Sequence, residues 1–407
     1  MAVNYADFQA IDINDYDALV VGSGFAGSVT ARQLAEKGGM RVLVIEKRDH
    51  IAGNMYDEYD EAGILVHRYG PHIFHTNDQT AFDYLQRFSE WSTYQHCVLA
   101  DWYGTYMPVP FNKNSMEIAF GDEKAARLIQ KLVDTFGDER KVTIHELRAE
   151  EDPELQEIAD FIYQNVFLYY TQKQWGLTPD EVDPSVTARV PVFVSRDNRY
   201  FQDTYQGMPE DGYTRLFENL LGHERITVCL STEAESVFEL VFSGREEDAP
   251  LSEIRVKYAP FTGPIVYTGP LDELFLGRFG RLPYRSLDFV YETFDETYHL
   301  PCGTVNYSVT EDYTRITEFK WLTEQKSDKT TIMKEYSRAY DDPATQIPYY
   351  AIINEANDAL YERYRRLTDA LPNFHPLGRL AEYRYFNMDK VVADALAASD
   401  KILAERA

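Results

Sequence analysis

The stretch Asp17-Ala-Leu-Val-Val-Gly-Ser-Gly-Phe-Ala-Gly27 decides the fold of this chain. A short apolar run ends at Gly22-Ser-Gly-Phe-Ala-Gly27. Ser28 to Lys37 then reads as a helix, stopped by Gly38-Gly39. A second apolar run, Arg41 to Ile45, closes on Glu46. Strand, glycine loop, helix, strand and acid in this order open a βαβ unit that holds a dinucleotide. Gly22 makes the tight turn, Gly24 lets the backbone approach a pyrophosphate, and Gly27 lets the helix pack closely. Ser23, Phe25 and Ala26 complete the loop at a helix N-terminus that faces phosphate. Glu46, with Lys47 beside it, accepts from a ribose hydroxyl.

Outward from this unit, the chain has 407 residues, of which 44% are hydrophobic, 26% charged and 14% aromatic. Those proportions are globular, and at roughly 150 residues per domain they predict two or three domains. With 40 basic against 67 acidic residues the formal charge is -27. Such a surface repels phosphate backbones and anionic lipid, which argues against nucleic acid and membrane-surface partners. An anionic substrate needs a local basic cluster. Cys97, Cys229 and Cys302 are odd in number and far apart, so they read as buried thiols in a reducing compartment. No apolar stretch approaches the ~20 residues of a membrane span, and Met1 to Tyr16 lacks a leader pattern. The expected location is the cytoplasm.

Asp78 to Trp91 is helical in pattern, and Cys97 to Tyr106 alternates around Gly104 as a hairpin. Asn112 to Tyr169 has helical periodicity and predicts a small bundle. Gly176 to Pro191 is proline-rich and reads as loop. Val192–Tyr205, Arg285–Thr293, Gly303–Tyr307 and Thr314–Trp321 are aromatic and β-rich, predicting a second, antiparallel sheet. Short strands are expected within Ile226–Val241 and at Gly263–Tyr267, with an exposed turn at Gly244–Leu251. Gly378–Tyr385 reads as a strand, followed by a helix over Met388–Ala397.

The small turn Ile51-Ala-Gly-Asn54, soon after Glu46, lets backbone pass close to a long cofactor. Its spacing resembles FAD-binding folds of the glutathione-reductase and amine-oxidase type, with distal contacts from Gly378-Arg379 and from the helix after Asn387. Eight segments, in order, resemble the UDP-galactopyranose mutase family. They are Val21–Gly27, Tyr69-Gly-Pro-His-Ile-Phe-His-Thr76, Tyr170-Thr-Gln-Lys-Gln-Trp175, Arg189-Val-Pro-Val192, Asp197-Asn-Arg-Tyr-Phe201, Gln206-Gly-Met-Pro209, Tyr313-Thr-Arg-Ile316 and Glu335-Tyr-Ser-Arg338.

The resemblance implies an α/β fold in which an FAD-binding Rossmann-like domain is interleaved with a helical-bundle domain and a six-stranded antiparallel β-sheet domain. The FAD-binding parts are expected at 1–90, 223–275 and 351–407. The β-sheet parts are expected at 91–111 (a joining hairpin), 189–222 and 276–350. The helical domain takes 112–188, with a mobile lid near 176–188. The implied activity interconverts UDP-galactopyranose and UDP-galactofuranose through attack of reduced FAD on the anomeric carbon, without net redox change. NAD(P)H or another reductant would prime the flavin, and the implied assembly is a homodimer serving cell-wall or surface polysaccharide synthesis. An amine-oxidase-like FAD oxidoreductase and a non-catalytic UDP-sugar or flavin binder are the other readings.

Beyond the glycine loop, Glu46, Lys47 and Asn54, the implied FAD contacts are Pro71, His72, Ile73, Arg379, Asn387 and Met388. The implied substrate contacts are Phe167, Tyr170, Thr171, Trp175, Arg189, Tyr200, Asn306, Arg315, Tyr336, Tyr385 and Asn387. Arg189, on or beside the lid, and Arg315, on a strand, would clamp the diphosphate, with His72 as the third catalytic residue. Asn387 departs from the Asp carried by many family members. No metal is expected, because His72 and His75 have no accompanying carboxylate or thiol set.

Overall fold

The computed structural model describes residues 1–180 and 191–406. A wholly parallel sheet has the strand order Ile226–Cys229, Val42–Ile45, Ala18–Val21, Ile265–Tyr267, Phe374–Pro376. Ala18–Val21 is β1 and Val42–Ile45 is β2, joined by the helix α1, Phe25–Glu36. Strands covered on both faces carry continuous apolar sequence. Val20, Val42 and Val44 pack towards α1 and the helix Met388–Ala404, while Leu19, Leu43 and Ile45 pack towards the helix Glu355–Thr368.

From Lys113 to Trp175 the chain is mostly helical, wrapped around Leu128, Leu132, Leu155 and Ile158. Between the helices Pro153–Ile162 and Tyr169–Trp175 lies a π-helical turn, Tyr163–Leu168. Such turns insert extra backbone and recur at functional sites.

A seven-stranded sheet runs in the order Tyr350–Ala351, Tyr284–Phe294, Thr330–Ala339, Arg315–Glu318, Thr304–Tyr307, Val98–Trp102, Thr105–Val109. It differs from the expected six-stranded antiparallel sheet. It has seven strands, and within the joining hairpin Val98–Trp102 runs parallel to Thr304–Tyr307.

Three local expectations are corrected. Gly378–Tyr385 is not a strand: Gly378 donates its N–H to the Glu382 carboxylate at 2.7 Å and accepts the Glu382 N–H at 2.9 Å, which closes a turn. Val192–Tyr205 contributes nothing to the large sheet. Asp197 there accepts from both the backbone N–H and the guanidinium of Arg199, folding the segment on itself. Val192–Phe193 pairs with Lys141–Val142, Arg199 makes an isolated bridge to Cys97, and Tyr205–Gly207 pairs with Phe74–Thr76. Cys229 is buried, but Cys97 and Cys302 are only half-buried. Among the described residues no helix is long and apolar enough to cross a membrane.

Candidate active site

A long cleft opens at the carboxyl ends of β1 and β2, where parallel sheets of this kind bind ligands. Gly22 turns the chain at φ +95°, and a Cβ on it would lie 2.1 Å from Thr268 Oγ1. α1 starts without a side-chain cap, so its first N–H groups are left for an anion. Gly53, at φ +57°, lies so close to the loop that its Cβ would sit 3.1 Å from the Gly24 Cα. Glu46 is buried and spans the loop. One carboxylate oxygen accepts the Ser23 N–H at 2.8 Å and the Ser23 hydroxyl at 2.7 Å, and the other accepts the Arg48 N–H at 3.0 Å. Ser23 therefore commits both donors to the acid.

Arg48 is a residue that the sequence reading misses, although it follows Glu46-Lys47 directly. Its Nη2 donates to Asn54 Oδ1 at 2.8 Å and its guanidinium stacks 4.1 Å from the centre of the Tyr69 ring. Its Nη1 is buried in the cleft wall without a partner among the described residues. A buried unmatched guanidinium nitrogen needs an acceptor, and the phosphates and hydroxyls of a dinucleotide provide one. The residues present fit FAD.

The cleft continues past Met55 and His72 to Tyr349, Arg379 and Met388. Pro71 and Ile73 flank His72, with Ile73 in the core cluster. Lys47 reaches Glu273 at 3.4 Å. Asn387 is exposed at the start of the last helix and caps it with no side-chain bond. The His72 ring donates Nδ1–H to the Gly70 carbonyl at 2.8 Å, which leaves Nε2 with its lone pair. Burial, then His67, Arg379 and Arg315, hold His72 neutral, its pKa lowered to about 3.

Arg315 anchors a second cluster of side chains. Its Nε and Nη2 each lie 3.0 Å from a carboxylate oxygen of Glu335, leaving Nη1 outside that pair. Arg315 exerts electrostatic influence on Tyr170, Tyr350, His72 and His96. Tyr350 stacks on Tyr385 at 5.7 Å and meets Trp175 at 5.8 Å. Asn306 pairs in register with Arg315, and its buried Oδ1 has no partner among the described residues. Tyr170, Thr171 and Trp175 lie on one short helix, ended by Gly176 at φ +71°. Tyr200 meets His96 edge-on at 5.8 Å. His75, whose metal role is discounted above, bonds Asp203 at 2.6 Å and stacks on Phe201.

Tyr336 and Phe167 are not among the side chains grouped around Arg315. Tyr336 follows Glu335 on an extended strand, so it points to the opposite face, where it meets Tyr313 at 5.8 Å. Phe167 is buried in the helical core. Arg189, and the predicted lid from 181 onwards, lie outside the described residues. Glu335 and Tyr350, which the sequence reading passes over, stand beside Arg315 instead.

The parallel sheet, glycine loop, bridging acid and long cleft define an FAD-binding flavoprotein. Residues 20–88 match the NAD(P)-binding Rossmann-like domain, and residues 165–385 match the UDP-galactopyranose mutase family. The chain is 37% identical over 394 residues to a probable UDP-galactopyranose mutase of Klebsiella pneumoniae, covering 96% of both chains. It is 34% identical to a dTDP-fucopyranose mutase of Escherichia coli, covering 93% of this chain and 96% of that one. A crystal structure of reduced UDP-galactopyranose mutase shares the fold with a TM-score of 0.68 at 17% identity, covering 96% of this chain and 94% of the other. The chain belongs to the UDP-galactopyranose mutase family of flavin-dependent isomerases.

Proposed function

We propose that this protein interconverts UDP-galactopyranose and UDP-galactofuranose where the cofactor cleft meets the Arg315 cluster. The observation that carries the reading is the convergence of Arg315 and His72 at that junction, one able to bind phosphate and the other a neutral acceptor. FAD, once reduced, supplies a nucleophilic nitrogen for the anomeric carbon, without net redox change.

The chain's own residues do the rest. Glu46, Arg48 and the N-terminus of α1 hold the dinucleotide. Arg315 Nη1 and Arg189 bind the diphosphate with charge-assisted hydrogen bonds. Tyr170, Thr171, Trp175 and Tyr350 flank the nucleotide, and Asn306 Oδ1 accepts from a hydroxyl. His72 Nε2 accepts a hydrogen bond from the flavin side. The reading includes a cytoplasmic homodimer, primed by NAD(P)H or another reductant, that supplies cell-wall or surface polysaccharide synthesis.

The test incubates FAD-loaded protein with UDP-galactofuranose and dithionite and follows the sugar by chromatography. Many turnovers per reducing equivalent are expected, and none from oxidised enzyme. Stoichiometric use of reductant or oxygen would point to an oxidase, and binding without conversion to a carrier. Faster conversion of dTDP-fucopyranose than of the UDP sugar would overturn the substrate and keep the isomerase.

A further inference from the structure

His67 lies outside the cofactor cleft, fully buried behind the loop that carries His72. We propose that it is a positioning residue, whose imidazole holds His72 in its orientation towards the flavin. The inference rests on His72 facing the flavin, as proposed above.

The loop reverses at Gly70, with φ +93°, and Pro71 has no N–H to give. The next donor, the His72 backbone N–H, goes to His67 Nδ1 at 3.1 Å instead of to a carbonyl. The His72 ring then gives Nδ1–H back to Gly70. Backbone and ring of His72 are thus both fixed within one turn, and only Nε2 is left to face outward.

Accepting at Nδ1 puts the hydrogen of neutral His67 on Nε2. That nitrogen is buried and has no partner among the described residues. An unmatched buried donor destabilises a fold, and one kept in a native structure calls for an explanation. The ring cannot swing to relieve it. Tyr213 meets it edge-on at 5.7 Å and Phe319 at 5.5 Å. The Tyr291 hydroxyl clamps the neighbouring backbone, donating to the carbonyls of His67 at 2.7 Å and Arg68 at 3.0 Å. A packing residue would need neither an acceptor at Nδ1 nor an idle donor at Nε2.

Three variants separate positioning from packing. Asn places its oxygen near the Nδ1 position, Gln places it near Nε2, and Leu has no acceptor. For each FAD-loaded variant the visible spectrum of the bound oxidised flavin is recorded without substrate, along with Tm, kcat and KM for UDP-galactofuranose under dithionite. His67→Asn should keep the wild-type spectrum and kcat within about threefold, even with a lowered Tm. His67→Gln and His67→Leu should shift the spectrum and lose about 30-fold in kcat with KM little changed. Activity that follows Tm across the series would reduce His67 to packing and overturn the proposal. An unshifted spectrum in His72→Asn would overturn the placement of His72 itself. A shift there, with none in His67→Leu, would overturn the proposal alone.

Discussion

Arg315 lays two guanidinium nitrogens on the two carboxylate oxygens of Glu335, each at 3.0 Å, and Glu335 is 1% exposed. Thr314 adds a hydroxyl bond to the same acid at 3.2 Å. The buried pair is neutral as a whole, so its contribution is direction: it aims the remaining nitrogen of Arg315.

Glu335→Gln should therefore act on turnover more than on cofactor. Removing one partner of a buried charged pair costs about 2–5 kcal/mol, so kcat/KM should fall roughly 30- to 4,000-fold. The protein should remain yellow. Retention of kcat/KM within a few fold would show that Arg315 needs no orienting partner.

Arg189→Ala and Arg315→Ala should each lose about 2–5 kcal/mol of transition-state binding while keeping FAD. Flavin content by absorbance, measured beside steady-state kinetics, checks both halves. Near-normal kinetics in both variants would place the diphosphate elsewhere.

Glu46→Ala and Arg48→Ala should weaken FAD retention by about 1–3 kcal/mol each. The Glu46 change should be the larger, because that acid also holds both donors of Ser23 and the N–H of Arg48. Equilibrium dialysis against FAD decides it, and full occupancy in both variants would remove the acid and the arginine from the cofactor site.

Burial holds His67 neutral with a pKa of about 4, and His72 and His96 with pKa values of about 3. An unfolded chain protonates histidine near pH 6.5, so the unfolded state gains protons that the fold refuses. The stability is complete above about pH 6.5 and is lost progressively towards pH 4 and 3. Asp272, raised by burial to about 6, has the opposite sign, since the fold takes its proton first. Asp57, Glu235 and Glu382 are also raised by burial and share that sign. The histidines dominate just below pH 6.5, and Tm should fall by several degrees between about pH 7.5 and pH 5. His96→Asn should flatten that slope, and an unchanged slope would contradict a neutral buried His96.

The glycine loop and its acid are legible in sequence because each residue has a local geometric task. The Arg315 cluster is less so, for two physical reasons. Glu335-Tyr-Ser-Arg338 is extended, and alternation sends neighbouring side chains to opposite faces. A motif marks the segment without saying whether Glu335 or Tyr336 turns inward. Ahead of Tyr170, the π turn at Tyr163–Leu168 shifts the helical phase, so ordinary helix spacing does not tell which face Phe167 presents. The parallel contact of Val98–Trp102 with Thr304–Tyr307 joins remote segments, and no local pattern announces it.

The strand order of the parallel sheet also sets a timetable for assembly. β1 pairs on one side with Ile265–Tyr267, which pairs in turn with Phe374–Pro376. Chains leave the ribosome at about 5–20 residues per second, so the glycine loop emerges well before the strands that complete its sheet. The helical bundle, built from residues close in sequence, can close early, whereas the cradle around Gly22 waits for segments near the far end of the chain. Cofactor capture is therefore a late event in the biogenesis of this protein, and until then the edge of β1 has to be kept from the wrong neighbours.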